Sequence, residues 1–551
     1  MRALLALTML LALGCSGSED EGSSPDDGGG GAGESGATSG GGSSGGNAGK
    51  GGQSTGGASA NGGASGASGD SGSGGASGSA GNAGAGAAPP TTCEPLPLVD
   101  TANPDHVVGD GTAASCTEAA LRVAATAGGT ITFDCGADPV TITVGGTIVF
   151  ADESVLDGGG KVTLSGGGSA RILYLDSGYD QTTPRLTVQR LSFRGGMSPA
   201  EGEDTAQGGG AIYRDGGSLT VIDCTFDDNH GPATGQDVAG GAIYAFGGGE
   251  TVISGSTFTD NSASDGGAVG SLNGHLTIVN SSFIGNAATG TDGNPGNGGC
   301  GGGIYMDGGD EVTTLCGVTI ADNTAGAIAG GFFRVSNSDD GTFTMERSVV
   351  SGNRVTPTDD GNAGGMYLQG LALTISASTI SHNEAFYNGG IWINECEANL
   401  TNVTIAENVA TGSNGGGVWL GNDPTGTMLN CTIANNHSAA AGMVAGAIFG
   451  SGLVLKNTIV AGNTAMYTPG CSDTHPSEGE NLQFPGGALC TASPTIADPE
   501  LGALGDNGGP TETLLPSSSS PAIGLGSDCP ATDQRGEPRA EPCTLGAVEA
   551  P

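Results

Sequence analysis

Aromatic rings recur at one fixed position along this chain. Tyr213, Tyr244, Tyr305, Phe333, Tyr367, Trp392, Trp419 and Phe449 each follow an apolar residue that itself follows a Gly-Gly, Gly-Gly-Ala or Gly-Ala step. Adjacent residues of a strand point to opposite faces, so a ring and its predecessor cannot both enter a core. The preceding column, Ile212, Ile243, Val269, Ile304, Phe332, Met366, Ile391, Val418 and Ile448, is the better core filler. The rings are therefore expected to face outward as a ladder repeating at about 4.8 Å. Flat rings suit the apolar faces of sugars, which makes Tyr213, Tyr244, Tyr305, Tyr367, Trp392 and Trp419 a candidate glycan platform. The competing reading places the same rings beneath loops as a second core.

A second motif interleaves with the first: an apolar residue, two small or polar residues, then Asn. It ends at Asn229, Asn261, Asn286, Asn323, Asn353, Asn383, Asn408, Asn436 and Asn463, at intervals of 32, 25, 37, 30, 30, 25, 28 and 27 residues. Such a period means a solenoid. Between the motifs lie alternating runs of three to five residues, such as Leu276-Thr-Ile-Val and Leu373-Thr-Ile-Ser, split by Gly and Asn turns. These are strand signals without helical periodicity. Each unit must bury its apolar face on its neighbours, which gives an all-β, single-stranded right-handed parallel β-helix. Asn tolerates left-handed turns and its amide can donate and accept along a stack, so the nine Asn residues are expected to form a structural ladder.

The paired motifs resemble the FxxN and GGA[IV] repeats of polymorphic outer-membrane proteins, which are β-helical surface proteins, several of them adhesins. The resemblance covers roughly 186–465, with Ile or Val often replacing Phe. No amphipathic C-terminal barrel of the kind those proteins carry is present. Ser115-Cys-Thr-Glu118 has capping-box spacing before the helix-favouring run Glu118-Ala-Ala-Leu-Arg-Val-Ala-Ala. With Cys116, Leu121 and Arg122 it resembles the Cys-Ser-Leu-Arg-Glu-Ala segment that opens many bacterial β-helix proteins. Asp506-Asn-Gly-Gly-Pro-Thr511, Asp533-Gln-Arg-Gly536 and Leu545-Gly-Ala-Val-Glu549 resemble the choice-of-anchor region that closes them. Asp533 and Arg535 are expected to pair as a cap-stabilising ion pair.

Catalytic constellations are scarce. The six His are scattered, and residues 155–465 hold only Lys161 and Lys456 beside eight Arg. The segments Gly-His-Gly and Arg-Ile-Lys, carried by polygalacturonases of this architecture, are absent. Arg171, Arg185, Arg190, Arg194 and Arg214 fall close in sequence without a repeating acidic tetrad. The loops Asp292-Gly-Asn294 with Asn297, and Asp359-Asp360-Gly-Asn362, offer the hard oxygens that calcium takes, although turn chemistry accounts for them as well. No other cofactor is expected. The reading is a binding or adhesion module; the alternative is a calcium-dependent polysaccharide lyase or a glycoside hydrolase.

The first residues carry an address. Met1-Arg2 precedes an eleven-residue apolar run, Ala3 to Leu13, then Gly14-Cys15. The run has signal-peptide length, below the ~20 residues that span a bilayer. Ala12-Leu13-Gly14-Cys15 resembles the bacterial lipobox, which implies cleavage of residues 1–14, acylation of Cys15, and a protein anchored at the outer membrane or cell surface. Residues 15–90 form a Gly/Ser/Ala linker too poor in apolar residues to build a core, hence expected to be disordered. Residues 91–155 should form an N-terminal cap with a short helix, 156–465 the β-helix, and 466–551 a C-terminal capping region. A formal charge of -42 excludes nucleic acid and disfavours polyuronates. Surface glycans or a neighbouring cell surface remain as partners. Of 13 Cys, twelve remain after Cys15, an even set that reads as disulfides. Cys471/Cys490 and Cys529/Cys543 are the expected local pairs, with Cys300/Cys316 and Cys116/Cys135 also compatible.

Overall fold

A computed structural model describes residues 93–200, 204–293, 296–356, 360–439 and 445–551. Residues 1–14, Cys15 and the linker 15–90 lie outside the described residues. The chain winds as a parallel β-helix of about 12 turns. One representative coil carries strands Met366–Gln369, Leu371–Ser376, Thr379–Ser381 and Glu384–Ala385. Each pairs in parallel with its counterpart 25 residues on, for instance Met366↔Ile391, Ile375↔Leu400 and Ile380↔Ile405. Stacking produces an 11-stranded sheet bearing the aromatic column, a long sheet built from the second and third strands, and an 8-stranded sheet of two-residue strands.

Two kinds of residue turn the corners. Asp322, His382, Glu407 and Asn435 precede their column Asn with φ between 56° and 59°. At the Gly-Gly corners the backbones themselves stack. A Cβ on Gly364 would lie 2.4 Å from the Gly389 carbonyl oxygen and 2.5 Å from the Glu384 nitrogen, so no side chain fits. Inside, the FxxN column begins with stacked rings, Phe193, Phe226, Phe258 and Phe283, at centroid spacings of 4.7, 4.5 and 4.6 Å. Ile320, Val350, Ile380, Ile405, Ile433 and Val460 continue it, all buried.

The column Asn residues are joined head to tail. In each pair the later residue's Oδ1 accepts from both the backbone N–H and the Nδ2 of the earlier one, from Asn229–Asn261 to Asn436–Asn463. Each Nδ2 also donates to the carbonyl of the apolar column residue one coil back, as Asn383 does to Val350. A second ladder runs five residues earlier. Cys224 N–H donates to Ser256 Oγ, Ser256 to Ser281, Val318 to Ser348, Ser348 to Ser378, and Cys431 to Thr458.

That second ladder corrects the cysteine arithmetic. The bridges are Cys93–Cys316, Cys116–Cys135, Cys471–Cys490 and Cys529–Cys543. Cys316 is thus taken by Cys93, and Cys300 lies buried elsewhere. Cys224, Cys396 and Cys431 are buried thiols. Cys224 and Cys431 occupy Ser positions of the ladder and donate S–H to backbone carbonyls of Val188 and Leu400. Burial pushes the Cys224 and Cys431 thiols up to about 12, so they stay protonated and inert.

Both ends of the described chain fold back onto one turn ridge. The segment from Cys93 runs along the early coils: Leu96 N donates to Ser254 Oγ, Val99 N to Gln189 Oε1, and Thr101 Oγ1 to Asp157. The helix Glu118–Ala127 then packs Leu121, Ala124 and Ala125 into the core. Its N-cap is Thr117, whose hydroxyl accepts from Ala120 N; Ser115 instead serves a preceding 3₁₀ turn, so the expected capping box is displaced. The coils continue past residue 465, with Ile459↔Leu482 and Leu482↔Thr495 still paired. The remaining residues lie along the flank. Gln534 reaches Ser378, Thr379 and Thr404, and Asn402 donates to the Thr532 carbonyl.

Candidate functional site

The aromatic column points away from the main core, as strand alternation requires, yet it does not form a surface platform. Tyr213, Tyr244, Tyr305, Tyr367 and Trp392 are at most 5% exposed, and Trp419 is half-buried. They pack with Ala239, Cys300, Ile328, Ala329 and Ala363 from the loops that lead into the Gly-Gly corners. The exposed glycan platform is thus overturned. An eight-row apolar strip is costly to leave in water, and the loops of 30-residue coils are long enough to cover it. Within the layer Tyr305, Phe333 and Tyr367 stack at 5.3 and 5.1 Å, and Trp392 on Trp419 at 3.9 Å.

Two residues past five of the rings, Tyr174, Tyr213, Tyr305, Tyr367 and Trp392, stands a polar group that the sequence reading passed over: Asp176, Asp215, Asp307, Gln369 and Asn394. The signal was available as Tyr-x-Asp in Tyr174-Leu-Asp176, Tyr213-Arg-Asp215 and Tyr305-Met-Asp307. Tyr174 Oη lies 3.1 Å from Asp176 Oδ1 and 3.4 Å from Asp215 Oδ2. Tyr305 Oη lies 3.0 Å from Asp237 Oδ1 and 3.2 Å from Asp307 Oδ2. Tyr367 bonds Gln369. Burial, reinforced by the charge of Asp237, pushes Asp307 up to about 6. Burial likewise holds Asp265 well above the carboxylate range, although its Oδ1 accepts from Cys300 N at 2.8 Å.

The basic residues do not converge. Arg214 and Arg334, fully buried, spend their N–H groups on backbone carbonyls of Gly217, Gly247 and Glu311. Arg171 covers the Tyr213 ring at 4.5 Å, and Arg190 pairs with Asp157, Arg194 with Asp227. Asp533 and Arg535 pair at 2.8 Å, with the Asp side chain fully buried. Of the acidic loops, Asn294 and Asp359 lie outside the described residues, and Asp292 accepts from Asn297 at 2.7 Å. Among the described residues no three His, Cys, Asp or Glu side chains are placed to hold a metal ion.

One face stays open. On the long sheet, Thr277, Thr314, Thr344, Thr374, Asn399 and Thr427 are register partners in an unbroken outward column. Beside it run His275, Val312, Thr342, Ala372, Glu397 and Thr425. These positions are exposed or half-exposed, and neither straps nor loops cover them.

The model of a family described as right handed beta helix region matches residues 183–368 and 358–475. Among solved structures, the A-module of mannuronan C-5 epimerase AlgE4 from Azotobacter vinelandii aligns over 72% of this chain and 100% of its own, at 16% identity and a TM-score of 0.30. No curated protein matches the sequence.

Proposed function

This chain belongs to the right-handed β-helix family, and from that premise we propose that it is a lipid-anchored module of the bacterial outer membrane or cell surface that binds or adheres through its solenoid. The observation that supports this reading is the open sheet face. In a chain of net charge -42, two outward columns over six coils carry only His275 and Glu397 as ionisable groups. A face with a single carboxylate, bordered by the exposed turn residues Asp310, Asp339, Asp340 and Asp423, suits neutral surface glycans or a neighbouring envelope and repels polyanions. The Asn ladder holds the face rigid, which lowers the ordering cost of binding. The anchor would be Cys15. Cys15→Ser should release the protein from membranes and abolish acyl labelling; unchanged retention refutes the anchor. On a glycan array, Thr344→Lys and Thr374→Lys should cut binding at least tenfold at unchanged melting temperature. Binding indifferent to both sinks this face.

One arrangement favours a second reading, glycoside hydrolysis. Asp176 and Asp215 are register partners on adjacent strands, with Tyr174 between them. Burial and the charge of Asp176 hold the Asp215 carboxyl above its ordinary range. A raised acid beside a second carboxylate is the division of labour such hydrolysis uses. Reducing-sugar release from neutral polysaccharides, lost in Asp215→Asn, supports it; no release excludes it.

A further inference from the structure

The two ends of the solenoid are finished differently. At the first coils the helix Glu118–Ala127 closes the core, with Leu121, Ala124 and Ala125 buried in it. Among the described residues no helix covers the last coils. The Asn column stops at Asn463; its next position, two residues past Phe484, is Gly486. The final strand of the long sheet, Thr495–Ile496, pairs with Leu482–Phe484 beneath it. Thr495 N donates to the Asn481 carbonyl at 2.8 Å. Successive residues of a parallel strand turn their backbone groups to opposite sides, so the N–H and carbonyl of Ile496 face away from the solenoid. Around this edge the surface is apolar. Met466, Tyr467, Phe484, Leu489 and Ile496 are each at least 39% exposed. Phe484 and Pro485 share one groove with Pro469 and Gly470, and a Cβ on Gly486 would lie 3.2 Å from Ile496 Cγ2. Cys471 N, donating to the Ala488 carbonyl at 3.2 Å, brings Leu489 to the same end. Neither 457–472 nor 482–497 holds a charged residue, in a chain with 57 Asp and Glu.

We propose that this end is a self-association surface, on which a second copy of the chain docks tail to tail about a twofold axis, with the two Thr495–Ile496 edges pairing antiparallel. An exposed edge is ordinarily blunted by charge or covered; this one is bordered by apolar side chains instead. Charge selects the occupant. Two chains of net charge -42 repel over nearly every approach, and their charge-free ends can meet without like charges at close range. A basic partner would be drawn to the acidic flanks and not to this end. Symmetry selects the arrangement. At the opposite end the helix packs across the strands His106–Gly109 and Ile148–Phe150. Head-to-tail stacking into a filament therefore meets a helix where it needs an edge, whereas the tail-to-tail pair closes on itself. The exposed Asp473, Glu478, Glu480 and Asp498 flank the charge-free segments and would stand near their own copies, so added salt should strengthen the pair.

Analytical ultracentrifugation of the full chain tests the pairing, with Cys15→Ser in place so that no lipid alters the mass. The chain should sediment as a dimer at about 50 µM and dissociate below about 1 µM. The dimer should tighten at least tenfold from low to high salt. Phe484→Lys and Ile496→Lys, both at exposed positions, should each weaken it at least tenfold at unchanged melting temperature. Val123→Lys, exposed on the helix at the other end, should leave it unchanged. A chain that is monomeric at every concentration overturns the pairing; if that monomer floats with phosphatidylcholine vesicles, the end faces a lipid surface instead. Association that survives both end variants, that Val123→Lys abolishes, or that grows into filaments overturns it as well.

Discussion

Asn383 Oδ1 accepts two hydrogen bonds from Asn353, one from its backbone N–H and one from its Nδ2, both within 3.0 Å. Asn383 in turn passes both its own donors to Asn408. The Asn383 amide therefore satisfies the backbone N–H of Asn353 and the carbonyl of Val350, while its own backbone N–H is satisfied by Asn408.

Removing one member leaves partners above and below unpaired. Asn383→Ala should cost about 1–3 kcal/mol, the desolvation penalty of buried groups left unmade. Urea denaturation of the full chain measures it. A change below about 0.5 kcal/mol would mean that the neighbouring coils close the gap by themselves.

The second ladder makes a paired prediction. Ser348 Oγ accepts from Val318 N, while Ser348 N donates to Ser378 Oγ. Ser348→Ala should cost about 1–2 kcal/mol because the buried Val318 N–H loses its acceptor. Cys431 stands at the equivalent position, so Cys431→Ser should be tolerated within about 1 kcal/mol. Thermal melts of the two variants compare them, and a Cys431→Ser chain that fails to fold would deny the equivalence.

The repeat was legible because its residues answer to the stacking geometry itself. Asn229 through Asn463 and the Gly-Gly corners each occupy a backbone position that few residues tolerate, so they recur at coil spacing. The second ladder, five residues before each Asn, was not legible, because Cys, Ser, Val and Thr alternate there and hide the column. What covers the rings was not legible. Ala239, Ile328, Ala329 and Ala363 sit in loops of varying length, without a period to mark them. The Cys93–Cys316 bridge spans 223 residues and depends on the strap lying along the ridge, which only the folded ridge reveals. The Tyr305–Asp307 pair was visible as Tyr-x-Asp; Asp237 reaches the same hydroxyl from a loop.

Because the rings are core, Trp392 should behave as a core residue. It is 1% exposed and stacked 3.9 Å from Trp419. Trp392→Ala should cost about 3–5 kcal/mol through lost burial and a cavity. Its Nε1–H is buried without a hydrogen-bond partner. Trp392→Phe sheds that group with part of the ring, and the two effects should offset to within about 1.5 kcal/mol. Near-equal losses for the Ala and Phe variants would argue that the indole contributes through its N–H instead.

The flank-packed C-terminal region rests on Asp533. One of its oxygens accepts from the backbone N–H groups of Arg535 and Glu537 at 2.8 and 3.1 Å. The other accepts from Arg535 Nε and Nη2 and from Glu549 N at 2.9, 2.8 and 2.9 Å. This knot orients the next residue, Gln534, whose amide is inserted among Ser378, Thr379 and Thr511. Asp533→Ala leaves the largely buried Arg535 guanidinium and three backbone donors without their acceptor, which should cost about 3–5 kcal/mol locally. The coils are held by their own ladders, so the loss should fall on the C-terminal region alone. Limited proteolysis should then cut between residues 500 and 551 at temperatures where the wild type resists, and the melt should split into two steps. A single transition with unchanged protease resistance would show that the flank contacts of Gln534 and Asn402 hold the region without the knot.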